Sequence, residues 1–157
     1  MIIATTFVTL LCLASVSLAW IDLRYGIIPD WLNLSIAVVG LARAILLDGW
    51  EAALGAGLEG IAVGAIAWLL RRLYFMFRKY QGLGLGDVKL LAASGVWIGL
   101  AGVPVQLLVG SCAALAAAGG LHLAGRTMTR QTSLPFGPFL ALGLLVTLGL
   151  QQGGWIG

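Results

Sequence analysis

The sequence GLGLGDVKLL, residues 82–91, brings a carboxylate to the point where a glycine-rich stretch turns into an apolar one. Aspartate favours the start of a helix, where its side chain accepts backbone N–H bonds and meets the positive end of the helix dipole. Three alternating glycines exceed what such a cap requires, because they permit positive φ and the close approach of another backbone. The stretch therefore predicts a helix that begins at Asp87 beside a cleft suited to an extended peptide, with a simple cap as the alternative.

The composition places that helix in a membrane. The chain has 157 residues, of which 61% are hydrophobic and 10% charged, and its mean hydropathy is +1.04, whereas a soluble domain has about 25% charged residues. The apolar runs are continuous rather than alternating, which excludes a transmembrane β-barrel and leaves helices. The formal charge of +3 is too small and too scattered for nucleic-acid binding. We therefore predict an all-α integral membrane protein with a single transmembrane domain over residues 1–157.

Six apolar segments have lengths near that of a bilayer-spanning helix. The fourth is short and abuts Pro104, which predicts a helix break there because proline disrupts a helix interior. The small-residue pairs in Gly60–Gly64 and Gly95–Gly99 are expected to let helices pack closely within one chain. The six predicted transmembrane helices are Ile2–Trp20, Trp31–Leu47, Ala52–Leu70, Val88–Val103, Pro104–Ala124 and Leu134–Gln152.

Charge asymmetry predicts an orientation. Basic residues concentrate in the loops after the first, third and fifth segments, whereas Asp48 and Glu51 follow the second. By the positive-inside rule, both termini are extracytoplasmic, and Asp22 and Asp87 lie at the cytoplasmic face. Arg43 falls on the opposite side and is expected to snorkel outward or to pair with Asp48. The basic residues predicted to be cytoplasmic are Arg24, Arg71, Arg72, Arg78, Lys79, Lys89, Arg126 and Arg130.

A second acid, Asp22, follows the first apolar segment in the sequence WIDLR, residues 20–24. Taken alone, it is better interpreted as a solvated acid just beyond the helix, paired with Arg24. The following Ile27-Ile28-Pro29-Asp30 indicates a turn into the second helix, since proline favours a helix start, and Asp30 is expected to be a cap or a surface acid. Ionisable groups at membrane depth are nevertheless functional candidates, and two carboxylates that converge can share a proton.

Three ordered blocks resemble the type IV prepilin peptidases, which are intramembrane aspartic proteases of the GxGD class. They are Asp22 with the Ile-Pro-Asp that follows it, GLGDVKLL at residues 84–91, and PFGPFLALG at residues 135–143. The resemblance covers essentially the whole chain and implies that Asp22 and Asp87 are the catalytic pair. It also implies the reaction, which is cleavage of the short basic leader of type IV prepilins and pilin-like secretion proteins at the cytoplasmic face of the bacterial inner membrane.

Further site residues follow partly from the residues themselves and partly from the resemblance. Gly84 and Gly86 belong to the predicted peptide cleft, and by resemblance Pro135 and Gly137 help to line it, with simple helix initiation as the alternative. Because the basic loops would repel a basic leader, leader binding is expected to rely on Asp30, headgroups or backbone acceptors. No metal or cofactor is implied, since an aspartate pair activates water directly. Larger members of the family add N-terminal CxxC motifs and methylate the product with S-adenosylmethionine. This chain begins with its first apolar segment and has no CxxC, so methyl transfer is not expected. The expected partners are prepilins, the lipid bilayer and a possible second copy in a homodimer, without nucleic acid.

Other functions fit the two acids less well. A small transporter could use them as a proton relay, but it needs polar residues through the bilayer midplane, where Arg43, Glu59 and a few Ser and Thr are the exceptions. A GxGD protease that acts on other membrane helices would share the motif at Asp87, but not the N-terminal block with Ile-Pro. An assembly scaffold would need neither acid for catalysis. Lys89 does not share a helix face with Asp87 and is expected to contact headgroups or to anchor the loop.

Overall fold

The computed structural model describes residues 2–78, 83–123 and 135–156, and these ranges contain helices but no strand. The helices are α1, Ile2–Tyr25; α2, Asp30–Leu47; α3, Trp50–Arg78; α4, Leu85–Leu123; and α5, Gly137–Gln152. Several residues of the predicted loops, motif and segment ends lie outside the described residues: Lys79, Gly82, Ala124, Arg126, Arg130 and Leu134.

Four of the described helices are long and apolar enough to cross a membrane. α1 and α2 qualify along their whole length, α3 as Trp50–Phe77 and α4 as Leu85–Leu121, whereas the apolar α5 is shorter. Large apolar side chains such as Leu58 and Leu115 are exposed on the outside of the bundle, which is typical of helices in lipid. The prediction of an all-α integral membrane protein is confirmed. The number of crossings, their orientation and the extent of the domain stay predictions.

α4 reverses direction within its length. Gly99 has φ 69° and ψ 174°, a backbone conformation that glycine adopts and that residues with a Cβ avoid. Gln106 Nε2 donates a 2.9 Å hydrogen bond to Ser94 Oγ, although a straight helix would separate these two backbones by about 18 Å. The two halves of α4, residues 85–98 and 100–123, therefore pack against each other in opposite directions.

The predicted helix break at Pro104 is wrong, because the chain turns earlier, at Gly99, and Pro104 lies within the second half of α4. Glu59 of α3 supports the turn: its Oε2 accepts a hydrogen bond from the Leu100 N–H at 3.0 Å. This bond satisfies one of the free N–H groups at the start of the second half. Proline is the more visible helix breaker in the sequence, but a turn with positive φ requires glycine.

Glycines bring α3 and the first half of α4 into close contact. A Cβ on Gly95 would lie 3.0 Å from the Gly60 Cα, and one on Gly64 would lie 2.9 Å from an alanine side chain of α4. On the other side of α4, the Trp97 indole N–H donates to the Ile36 carbonyl of α2 at 2.8 Å. The prediction of packing within the chain is confirmed for Gly60, Gly64 and Gly95, whereas the fourth glycine of the two pairs forms the reversal of α4.

The end of α1 and the starts of α2, α4 and α5 meet at one end of the bundle, which we call the site end. The Gly137 N–H at the start of α5 donates to Asp22 near the end of α1, and an ion pair described below joins the starts of α2 and α4. The α2–α3 connection lies at the opposite end. There Arg43 pairs with Asp48 at 3.8 Å, as the sequence predicted.

Candidate active site

Asp22 lies in the last turns of α1 and is buried, with 5% of its surface exposed. Its Oδ2 accepts a hydrogen bond from the Gly137 N–H at 3.0 Å, so the carboxylate satisfies a free N–H at the start of α5. The Arg24 guanidinium lies instead over the Tyr25 ring, 5.8 Å from its centre. The interpretation of Asp22 as a solvated acid paired with Arg24 is therefore wrong, because the carboxylate is held inside the bundle by a helix N-terminus.

Asp87 lies in the first turn of α4, which begins at Leu85 rather than at Asp87 itself. Its carboxylate lies beside the Gly84 backbone, whose N–H acts on it electrostatically. A Cβ on Gly84 would lie 3.1 Å from Asp87 Oδ2, so glycine leaves room for this contact. Each aspartate thus lies against the backbone of a glycine at or just before a helix start.

A cavity of about 570 Å³ at the site end is lined by both Asp22 and Asp87. The two carboxylates are close enough for the charge of Asp22 to act on Asp87. The remaining walls come from the turn before α2, the glycine stretch before α4 and the segment before α5, and they include Asp30, Gly84, Gly86 and Pro135. With Gly137 bonded to Asp22, the fold gathers the site residues nominated from the sequence into one place.

Ile28 packs between the glycine stretch before Asp87 and the start of α5. A Cβ on Gly86 would lie 2.9 Å from the Ile28 Cβ, and a Cβ on Gly137 would lie 3.0 Å from the Ile28 Cδ1. Both glycines are therefore required by close packing around one side chain. Sequence reasoning missed this role, because Ile28 was visible only as a member of the Ile-Pro-Asp block.

Asp30 and Lys89 form an ion pair at the mouth of the cavity. Lys89 Nζ lies 2.7 Å from Asp30 Oδ2, and both side chains are exposed. The N-cap position of α2 is Pro29, and Asp30 is the first helical residue, so of the two expectations for Asp30, a surface acid fits and a cap does not. Lys89 anchors the start of α4 to α2, which agrees with the expected anchoring role.

The geometry supplies the groups for acid–base chemistry on water. Two interacting carboxylates can divide the roles of base and acid when one is ionised and the other protonated. Within the described ranges, no group of three or more His, Cys, Asp or Glu side chains could hold a metal ion. That the chemistry needs neither metal nor cofactor stays a prediction.

Comparison with known proteins connects this arrangement to a family. The type IV leader peptidase family matches residues 9–119, a range that includes both aspartates. A prepilin leader peptidase/N-methyltransferase from Burkholderia pseudomallei (strain 1026b) is 39% identical over 140 residues, which is 88% of this chain and 44% of the relative. No solved structure gave a significant match.

Two further relatives carry the same name. The protein from Xanthomonas campestris pv. campestris is 35% identical over 130 residues, covering 81% of this chain and 44% of the relative. The protein from Escherichia coli (strain K12) is 34% identical over 138 residues, covering 85% and 58%. The chain thus spans about half the length of the curated relatives it matches. Since the family match covers most of the chain, including the two acids that line the cavity, this protein belongs to the type IV leader peptidase family.

Proposed function

We propose that this protein is an intramembrane aspartic endopeptidase that cleaves the basic leader of type IV prepilins and pilin-like secretion proteins. The observation that carries the proposal is the cavity at the site end, which Asp22 and Asp87 line together. The names of the relatives supply the substrate class. We place the protein in the bacterial cytoplasmic membrane with the site end toward the cytoplasm, because the positive-inside rule favours that side for the basic loops.

The proposed mechanism uses one proton shared by the two carboxylates, because neighbouring carboxylates do not both ionise readily. The ionised aspartate takes a proton from water, and the water oxygen bonds to the carbonyl carbon of the scissile peptide. The protonated aspartate donates a hydrogen bond to the carbonyl oxygen and stabilises the tetrahedral intermediate. When the C–N bond breaks, the proton taken from water passes to the leaving nitrogen, which gives a new carboxyl group and a new amine.

Glycine backbone positions the pair for this reaction. Gly137 donates to Asp22, and the Gly84 backbone lies against Asp87. An ionised carboxylate has two oxygens and about four acceptor positions, so one such bond leaves capacity for water and substrate. The bond holds the Asp22 carboxylate with little rotational freedom, and Gly84 limits the space around Asp87.

The walls of the cavity suit an extended, basic peptide. Gly84 and Gly86 present backbone without side chains, which lets the main chain of a substrate approach closely. Asp30 adds a carboxylate at the mouth, where its Oδ2 pairs with Lys89 Nζ at 2.7 Å. A basic leader side chain would exchange with Lys89 for this carboxylate, and such an exchange is feasible because exposed ion pairs are weak.

The test is co-expression with a prepilin, followed by gel separation of precursor and mature pilin and sequencing of the new N-terminus. Asp22→Asn and Asp87→Asn should each lower cleavage by about a thousandfold, because either change removes the shared proton. Asp48→Asn, an acid at the opposite end of the bundle, is the matched control and should cleave like the unchanged protein. If Asp22→Asn and Asp87→Asn both still yield mature pilin, the proposal is wrong.

A proton-coupled transporter receives less support from the interior of the bundle. Apart from Asp22, the polar side chains buried within the described ranges are uncharged: Ser15, Asn33, Ser94, Gln106 and Thr147. A relay that continues from the cavity of Asp22 and Asp87 through the bundle would need a further ionisable group. The proposal covers peptide cleavage alone. The expectations that methyl transfer is absent and that the protein can form a homodimer stay predictions.

A further inference from the structure

A second cavity, also of about 570 Å³, lies between α2, α3 and the first half of α4. We call it the apolar groove. Small and apolar side chains line it at helical spacing on all three helices, among them Ala37, Leu41, Gly57, Ile61 and Ala92. The groove is open along one side, where Leu34 and Ile61 are 65% and 70% exposed on its rim. It is therefore accessible from the surroundings of the bundle.

Asn33 is the exception in this apolar lining. Its side chain is 4% exposed and belongs to the wall of the groove. Neither its Oδ1 nor its Nδ2 has a hydrogen-bond partner among the described residues. A buried amide without partners is unfavourable. Both atoms are enclosed in the wall, so a small rotation of this side chain toward the groove would let an occupant supply a donor and an acceptor.

The apolar groove continues the cavity of the aspartates. Asp30 and Lys89 line both cavities, and Asn33 follows Asp30 by one helical turn of α2. From Asp30 to Leu41 the groove extends about 16 Å along α2, away from the aspartates. A chain cleaved at the aspartates and continuing toward the bilayer would pass Asn33 first and the apolar walls next.

We propose that the apolar groove binds the substrate segment that follows the scissile bond, with Asn33 bonded to its backbone. The inference rests on the proposed peptidase function. A peptide bond must be extended to enter the cavity, so the adjacent turn of the substrate has free N–H and C=O groups. In apolar surroundings these groups need partners, and a carboxamide offers one acceptor and two donors. The apolar side chains of the substrate beyond this turn then lie in the groove between Ala37 and Gly57.

The first test replaces the amide in purified full-length protein and measures cleavage kinetics on two substrates. One is an intact prepilin and the other is a leader peptide that ends shortly after the scissile bond. Asn33→Leu should raise KM for intact prepilin about tenfold, because two hydrogen bonds are lost, and Asn33→Gln should recover part of that loss. The short peptide does not reach the groove, so all forms of the protein should cleave it equally.

Equal KM values for Asn33→Leu and the unchanged protein on intact prepilin would overturn the inference. So would an equal loss on both substrates, because that result indicates a general structural defect. If the unchanged protein cleaves neither substrate, the proposed function itself fails, and this outcome is distinct from the other two.

The second test fills the groove. A Cβ on Gly57 would lie 3.6 Å from the Leu41 side chain, whereas one on Gly55 of the same helix meets nothing within 4 Å. Gly57→Leu should therefore raise KM for intact prepilin at least tenfold, while Gly55→Leu, the matched control outside the groove, should leave it unchanged. Oligomeric mass and bound phospholipid are measured in the same samples. A Gly57→Leu protein that loses a second copy or a bound lipid with KM unchanged would overturn the inference in favour of that occupant.

Discussion

The site end and the reversal of α4 are built from the same parts. At both, a carboxylate accepts a hydrogen bond from a backbone N–H at a helix start: Asp22 from Gly137, and Glu59 from Leu100. At both, glycine leaves room for the carboxylate: a Cβ on Gly137, the donor itself, or on Gly99, just before the donor Leu100, would collide with it. At the reversal the acid is exposed and supports a turn. At the site end the acid lines a cavity together with a second acid, Asp87. Convergence, rather than local geometry, separates the candidate catalytic acids from a structural one.

Among changes to the backbone supports of the two regions, the largest effect is expected from Gly137→Ala. The new Cβ would lie 2.5 Å from Asp22 Oδ2 and 3.0 Å from Ile28 Cδ1, so the carboxylate must move. A displacement of about 1 Å at a reacting group can lower the rate about a hundredfold, and we expect that loss in kcat for prepilin cleavage. Gly149→Ala in the same helix, where a Cβ meets nothing within 4 Å, is the control. Equal rates for the two variants would show that Asp22 need not be held so tightly.

The corresponding change at the reversal should affect stability. Gly99→Ala places a Cβ at φ 69° and against the Glu59 carboxylate, and we expect it to lower the free energy of unfolding by about 2 kcal/mol. Gly119→Ala, in the second half of α4 with open space around it, should instead raise this free energy by about 0.5 kcal/mol. Unfolding in mixed detergent micelles measures both. An unfolding midpoint for Gly99→Ala at or above that of the unchanged protein would contradict the assigned turn.

The features of the fold and of the site that were predicted from the sequence are those that depend on local composition. Continuous apolar runs indicated membrane helices, and the glycine stretch indicated a backbone cleft before Asp87. The burial of Asp22 was not predictable, because its partner Gly137 is 115 residues away. From sequence alone, an acid at a helix end is expected to be exposed to water. Only the resemblance brought Asp22 into the site. The position of the reversal was missed for a similar reason: Pro104 is a visible signal, whereas the Glu59 carboxylate supports the turn from another helix.

The smallest effect, on the free energy of unfolding, is expected from Glu59→Gln, which removes the carboxylate charge at the reversal of α4. Glu59→Gln keeps an oxygen that can accept from the Leu100 N–H and should change the free energy of unfolding by about 0.5 kcal/mol or less. Glu59→Ala removes the acceptor and should cost about 1 kcal/mol, as the loss of a helix cap does. Unfolding in mixed micelles measures the difference, and prepilin cleavage should remain unchanged in both. At the site end, by contrast, the proposed shared proton needs an ionisable group, so we expect that an amide does not replace either acid. If Glu59→Gln abolished cleavage, the reversal would be coupled to the site, and the separation between structural and candidate catalytic acids would fail.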